Sequence, residues 1–325
     1  MLRVAVTTNI SEKNGKYALG ETIKCYTKYF AKNNFDIYLF HWASLTKGGM
    51  ISKYYHKGSC KRNLSLKGNI DLIFTSELGK IYDKKEEFLQ YLDVLENVKG
   101  PLKINSPIKM RGNLDKNYLL DLQKNNFFVV PTILSGLDLN FSDLKTFQES
   151  QLADDLIIKP RFFGEVGEDV RRVSSFKGNE FQEYLKKLEK SLPRSFRVEN
   201  KKIAMIQPFL EEVKKGEVSL FYLGRSLSHS FQKIAKKGEI INMANGWLCE
   251  SYTPCEEQLN IASKLIDYYK DENQVTRIDF IESQGKWLIS EVERINPAPF
   301  LEELKIGEAF PMKLCQFFNH FLKSF

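Results

Sequence analysis

Apolar residues along this 325-residue chain recur at two spacings. Over residues 3–8, 36–41 and 70–76 they form short β-branched runs bounded by polar or glycine-bearing stretches, which predicts strands. Residues 20–32 and 86–98 read as helices; in the second, Phe88, Leu92 and Leu95 recur at helical spacing and make one apolar face. Strand alternating with helix predicts a parallel α/β layer for this N-terminal part. Residues 46–67 are polar, rich in lysine and broken by Gly48, Gly49 and Gly58, and predict a long loop.

The pattern changes at Lys99-Gly100-Pro101, and a second unit is expected soon after. Residues 118–124 read as a helix, 127–130 as a strand stopped by Pro131, and 155–160 as a buried strand that finishes on Lys159. A helix follows at 180–192. Beyond it, 203–209, 216–223 and 226–233 are strands joined by polar turns, an expected antiparallel meander. A helix at 261–269, a hairpin from 276–281 and 287–297, and a last helix at 311–322 complete the chain. The expected class is a multidomain α/β and α+β protein with units at 1–104, 105–200 and 201–325.

Composition narrows the function. A hydrophobic content of 42% with 27% charged residues is that of a soluble globular protein. No run approaches the roughly 20 apolar residues of a membrane span, so no membrane partner is expected. The N-terminus begins with a strand-like segment and lacks a signal-peptide layout. Five scattered cysteines, none at zinc-ligand spacing, read as free thiols in a reducing cytoplasm. The net charge of +7 comes mostly from lysine spread along the sequence, without a basic stripe interleaved with aromatics. Nucleic acid is therefore not the expected partner; a moderate positive field favours small anionic ligands such as nucleotides.

The candidate chemistry centres on the C-terminal hairpin. Side chains alternate along a strand, so Glu291 and Glu293 share a face, and a three-residue loop at 284–286 places Asp279 opposite Glu291. A two-residue loop places Asp279 opposite Ser290 instead. In the first register three carboxylates crowd one patch beside Arg277, an arrangement that repels itself unless a divalent cation intervenes. Such hard oxygen ligands suit magnesium together with nucleotide phosphates. The other reading of the same residues is an acidic strand facing solvent.

Two further segments fit a nucleotide. Lys159 at a strand end, followed by Gly164 and Gly167, can hold phosphate oxygens through an ammonium and nearby backbone N–H groups, although a surface turn has the same composition. It is neither a P-loop nor a Rossmann fingerprint. Gln207-Pro208-Phe209-Leu210 followed by Glu217 can line an adenosine, with Glu217 on the ribose; Phe209 and Leu210 can equally be core.

Taken in order, Asn105-Ser106-Pro107, Asp115-Lys116, Lys159-Pro160, Gln207-Pro208-Phe209-Leu210, Gly216-Glu217, Arg277-x-Asp279 and Glu291-x-Glu293-x-x-Asn296-Pro297 resemble the ATP-grasp superfamily. Within it the chain is similar to glutathione synthetase-like and ribosomal S6 modification enzyme-like ligases. It is nearer still to the group holding the cyclo-ligase that forms D-cycloserine, through Gly216-Glu217-Val218-Ser219-Leu220, Gly224, Ser228-His229 and Lys233. The resemblance covers roughly residues 70–300 as an ordered set.

The resemblance implies ATP and two Mg2+ ions as cofactors. Lys116 and Lys159 would hold the phosphates under a Gly164–Gly167 loop. Gln207 and the backbone of Leu210 would meet adenine, Glu217 the ribose, and Asp279, Glu291 and Glu293 the metal. Arg277 would lie near the phosphates, with Lys233 and His229 as further catalytic candidates. The implied activity is formation of an acyl-phosphate on a substrate carboxylate and its displacement by an amine or related nucleophile, small molecule or peptide. The alternative is an inactive ATP-binding protein acting as sensor or scaffold. Two departures stand out. Glu293 occupies a position where many relatives have asparagine. The segment 238–243 lacks the arginine that relatives place there, which leaves Lys233 or Arg225 to steady the acyl-phosphate. Arg161, Arg171 and Arg172 can meet an anionic substrate or form a solvated lid, and relatives are often homodimers or homotetramers.

Overall fold

A computed structural model describes the chain apart from residues 10, 14–15, 19–20, 80, 164–168, 195, 197–201, 237–245 and 324–325, and apart from the side chains of residues 11–13, 16–18, 21 and 141. The Gly164 and Gly167 loop and the arginine-lacking segment 238–243 thus lie outside the described residues.

The N-terminal part is built on a parallel core. β1 (Leu2–Thr7) pairs with β4 (Phe35–Phe40) on one side and β8 (Leu72–Phe74) on the other, and β9 (Leu102–Ile104) extends β8; between β1 and β4 lies the small ladder of β2 (Ser11–Lys13) with β3 (Lys16–Ala18). Helices α1 (Glu21–Lys32) and α2 (Lys85–Asn97) cover it, α2 burying Phe88, Leu92 and Leu95 as the spacing predicts. Residues 46–67 are not a long loop. They carry β5 (Leu45–Thr46), β6 (Met50–His56) and β7 (Ser59–Ser65), an antiparallel extension in which β6 reaches β4 and β7 pairs with β6. The physical reason is a period of two: Ile51 and Tyr55 are buried on one face while Met50 and Ser52 are exposed on the other, and Lys57-Gly58 turns the chain with both φ angles positive.

The middle of the chain begins with α3 (Pro107–Asn113) and α4 (Tyr118–Lys124). A four-stranded antiparallel sheet follows, in the order β10 (Ile133–Ser135), β13 (Ala204–Pro208), β11 (Leu156–Pro160), β12 (Arg171–Arg172). α5 (Phe141–Ser150) and α6 (Glu180–Ser191) accompany it; Phe181, Leu185 and Leu188 of α6 share a core with Leu156, Ile158 and Ile206. The expected strand at 127–130 is only a bridge, Val129 with Ile289.

The C-terminal sheet runs β16 (Trp247–Ser251), β15 (Ser226–Ala235), β14 (Glu217–Leu223), β17 (Val275–Ser283), β18 (Lys286–Glu293), all antiparallel. β13 belongs to the other sheet, so the expected three-strand meander is wrong in its first member. Pro208 ends β13, and the segment 209–216 crosses from one sheet to the next. One face of this sheet (Val218, Leu220, Ile278, Phe280, Ile289, Val292) packs on α4 and on α7 (Glu256–Tyr269). On the other face, Phe221, Phe231 and Val275 pack on α1 and on α8 (Ala309–Lys323) through Phe310, Leu314 and Phe318. That second face turns polar toward Glu217, Ser219, Lys233, Asp279 and Glu291, the same-side continuation of the strands. No helix among the described residues is long and apolar enough to cross a membrane, and the five cysteines are free thiols.

Candidate active site

Asp279 does stand opposite Glu291, by a different route from the three-residue loop. The turn has two residues, Gln284-Gly285, both at positive φ, so Ser283 pairs with Lys286 and Phe280 with Ile289. Continued regularly, that register sets Asp279 against Ser290. A bulge between Phe280 and Asp279 takes up Ser290 and restores the pairing of Asp279 with Glu291 and of Arg277 with Glu293. Ser290 thereby turns its hydroxyl to Glu217, donating at 3.1 Å.

Asp279 is almost fully buried and is held from three sides. Arg277 donates through Nε and Nη2 at 2.9 Å each, Ser219 Oγ donates at 2.7 Å, and Lys233 Nζ lies 3.3 Å from Oδ2. Burial pushes its pKa up, but Arg277 and Lys233 overcome this and hold the carboxyl well below the usual range. Lys233 also pairs with Glu217, its cross-strand partner. Gly216 makes this approach possible: its φ is 115° and an added Cβ would stand 2.8 Å from Gln232 Nε2.

The second half of the site arrives from the middle of the chain. Lys116 forms an ion pair with Glu291, and Lys116 with Lys159 holds the Glu291 carboxyl down at about 2 against the opposing effect of burial. Lys116 is positioned by a clamp. Its backbone N–H donates to the Arg161 carbonyl at 3.0 Å, and the Arg161 guanidinium grips Asp115 at 2.7 and 2.6 Å. Lys159, near the end of β11, has no acidic side chain within ion-pair distance among the described residues. Burial first, and then the charge of Lys116, lower its pKa to about 8, while Glu291 and Glu217 pull the other way.

Glu293 does not complete a triad. Its Oε1 accepts from the backbone N–H groups of Ile295 and Asn296 at 2.8 and 3.0 Å. No group of three or more His, Cys, Asp or Glu side chains among the described residues is disposed to hold a metal unaided. Magnesium needs less, one or two carboxylates plus phosphate oxygens, and the Asp279–Glu291 pair fits that requirement.

Several candidates have other duties. His229 stacks on Phe221 with ring centroids 4.8 Å apart, and its Nε2 meets the Pro299 carbonyl at 2.9 Å and its Nδ1 the Ser228 hydroxyl at 3.1 Å. Burial depresses it to about 4, so it is neutral, and both ring nitrogens are engaged within the fold. Arg225 sits at the far turn of β14, paired with Asp267 and Glu272, and cannot stand in for the absent arginine. Gln207 directs its amide to Thr132 at 2.8 Å, and Leu210 caps a short 3-10 turn by accepting from Val213. Arg172 pairs with Asp155 and covers the Phe209 ring at 4.1 Å, and Arg171 lies over Phe176 and Tyr184; with Arg161, all three serve the fold.

The sequence reading missed Ser219, Ser290 and the Asp115–Arg161 clamp. Ser219 was findable, being two residues from Glu217 on one strand and hence on its face. Asn105 and Asn113 were missed as braces: their amides hydrogen-bond the backbone of Val275, Val292 and Arg294, fixing β17 and β18 against the chain's middle.

Sheet order, the crossing segment and a buried acid–base cluster between two antiparallel sheets define a class: the chain has the ATP-grasp fold. No family model matches the sequence, and no curated protein does. Solved structures do match. D-cycloserine synthetase DcsG superposes with a TM-score of 0.67 and 16% identity over 97% of this chain and 99% of its own. The ATP-grasp ligase PsnB, complexed with minimal precursor, gives 0.62 and 13% over 97% of each chain. The macrocyclase MdnC of Microcystis aeruginosa MRC, bound with precursor peptide MdnA, gives 0.62 and 15% over 97% and 100%. Identities this low carry the fold and not the substrate.

Proposed function

We propose that this chain is an ATP- and Mg2+-dependent ligase that activates a substrate carboxylate as an acyl-phosphate and joins it to an amine or related nucleophile. The observation that carries the proposal is the registered Asp279–Glu291 pair set among Lys116, Lys159, Lys233 and Arg277, with no acid of the described residues within ion-pair distance of Lys159. Four carboxylates, counting Glu217 and Glu293, face four cations, so the site is electrically balanced before any ligand enters. A triphosphate of about four negative charges preserves that balance when it brings about two divalent cations.

In this proposal Asp279 and Glu291 would hold magnesium, with Glu293 beside them but engaged by the backbone, and the ion when bound would neutralise charge developing on the transferred phosphoryl oxygens. Lys159 and Lys116 take the phosphates beneath the loop containing Gly164 and Gly167. Entry of phosphate frees Lys116 from Glu291 and gives Lys159 the anion it lacks. Glu217, steadied by Ser290 and Lys233, is assigned to the ribose, and the 207–210 crossing to adenine through its backbone. Arg277 and Lys233 keep Asp279 ionised. A substrate carboxylate oxygen attacks the γ-phosphorus as the bond to ADP breaks; the nucleophile then attacks the acyl carbon and phosphate leaves. The complexes of PsnB with Mg and ADP support this cofactor pair by analogy of fold, and the precursor peptides of PsnB and MdnC keep peptides among the substrates. We further assign three lobes at 1–104, 105–200 and 201–325, a cytoplasmic location, and a homodimer or homotetramer.

ADP release measured across a panel of carboxylates and amines tests the assignment. Turnover that requires Mg2+ and one member of each substrate class is expected. ATP binding without turnover across the whole panel would favour the sensor or scaffold alternative. Absence of Mg2+-dependent ATP binding would overturn both.

A further inference from the structure

The chain's positive charge is not evenly spread, contrary to the sequence expectation. Residues 37–70 contain Lys47, Lys53, Lys57, Lys61, Arg62 and Lys67 and no Asp or Glu, against a net charge of +7 for the entire chain. The fold gathers these cations on the β6–β7 hairpin and at its foot, remote in sequence from every residue of the candidate active site, and brings Asp36 of β4 to Lys57 at 3.7 Å. All but Lys53 are exposed.

Three features of this hairpin are unexplained by folding alone. Lys53, whose ammonium lies over the Tyr55 ring at 5.8 Å, stands directly opposite Arg62 across the strands, a like-charge juxtaposition that is unfavourable in a sheet. β7 is an outer strand, paired among the described residues only with β6, and Ser59 through Asn63 are exposed, so one row of backbone N–H and C=O groups faces outward. Asn63, at φ 60°, interrupts that edge, and the pairing with β6 resumes in the same register at Leu64 and Ser65. At the hairpin's foot a concavity of about 450 Å³ is lined by Lys47, Lys67 and Lys99 together with Asp93 and Asn97.

We propose that the β7 edge is a docking site for a short, extended, acidic peptide segment, which adds a strand beside residues 59–62 and sets carboxylates on one face against Arg62, with Lys53 beyond it, or on the other face against Lys61. An added strand satisfies the open backbone row, and alternate acidic side chains relieve the Lys53–Arg62 repulsion. Nucleic acid fits less well. It cannot pair with a strand edge, and the nearby rings are turned inward: Tyr55 is buried, while Tyr38 stacks on His56 at 4.4 Å and lies 5.9 Å from Tyr54.

The test measures binding of a short synthetic peptide of alternating Glu and Thr to the full chain by fluorescence anisotropy. Binding is expected that weakens with salt and weakens about tenfold or more in the double variant Lys61→Glu, Arg62→Glu. A Lys/Thr peptide should regain affinity for that variant, which also demonstrates that the variant is folded. Methylating alternate peptide nitrogens of the Glu/Thr probe should remove binding. Equal affinity for the methylated probe would overturn the strand-addition proposal. So would indifference to the double variant, or tighter binding of a single-stranded DNA oligonucleotide or of anionic phosphatidylserine vesicles than of the peptide.

Discussion

Lys233 and Lys61 both sit on antiparallel strands opposite a neighbour that faces the same way, yet their surroundings are opposite. Lys233 is buried against Glu217 and Asp279; Lys61 is exposed on a hairpin where Arg62 faces Lys53 and no acid lies in the local sequence. In the low-dielectric cluster an unmatched charge costs several kcal/mol, so cations and carboxylates come in equal numbers. At the hairpin, water and salt screen the repulsion, and an imbalance of charge is cheap enough to persist. The cluster is thus organised around ions that its own fold must neutralise, the hairpin around ions that another molecule can neutralise.

The contrast is tested most severely at Asp279. Asp279→Ala leaves Arg277 and Lys233 buried without their shared acid, and chemical denaturation should show a loss of about 3–5 kcal/mol. Next in size, Glu291→Gln removes a proposed magnesium ligand from a position that is partly exposed. ADP formation should fall about 10²–10³-fold while the far-UV circular dichroism is retained, and unchanged turnover would remove Glu291 from the site.

A smaller effect follows from Lys159. With a pKa lowered to about 8, it loses its charge as pH rises through that value, so ATP affinity should decline above pH 8 by at most about tenfold per unit. Lys159→Met should weaken binding and flatten the profile. Without nucleotide the sign for stability is reversed. The unfolded chain holds this proton more tightly than the folded one, so stability gains with pH between about 8 and 10.5. The smallest effect belongs to the hairpin: Arg62→Glu converts a repulsive cross-strand pair to an attractive one and should stabilise the protein by about 0.2–1 kcal/mol, read as a raised melting temperature. A loss there as large as that at Asp279 would erase the distinction between the two regions.

Much of the site was legible because its acids lie close together in sequence and alternate on strands, and because Lys159 ends an apolar run. The register that brings Asp279 to Glu291 was less so. It depends on a two-residue turn and on one extra residue, Ser290, and neither propensity nor periodicity announces a bulge. The hairpin at 46–67 was hidden by its glycines and lysines, though Ile51 and Tyr55 carried the period of two that marks it. His229 drew attention as a titratable residue in a motif, and only its contacts with Phe221 and the Pro299 carbonyl disclose a packing role.

By itself the sequence determined most of the segments that become strands and helices and which carboxylates and lysines lie near one another along them, because hydrophobic period and side-chain type are local properties. The tertiary structure decided which of those charges meet. The Asp115–Arg161 clamp delivers Lys116 to Glu291 across 175 positions, β13 leaves one sheet as β14 enters another, and Glu293 turns to the backbone of Ile295. Those choices rest on long-range pairing and on the cost of burying an unmatched ion, which no short window of residues contains.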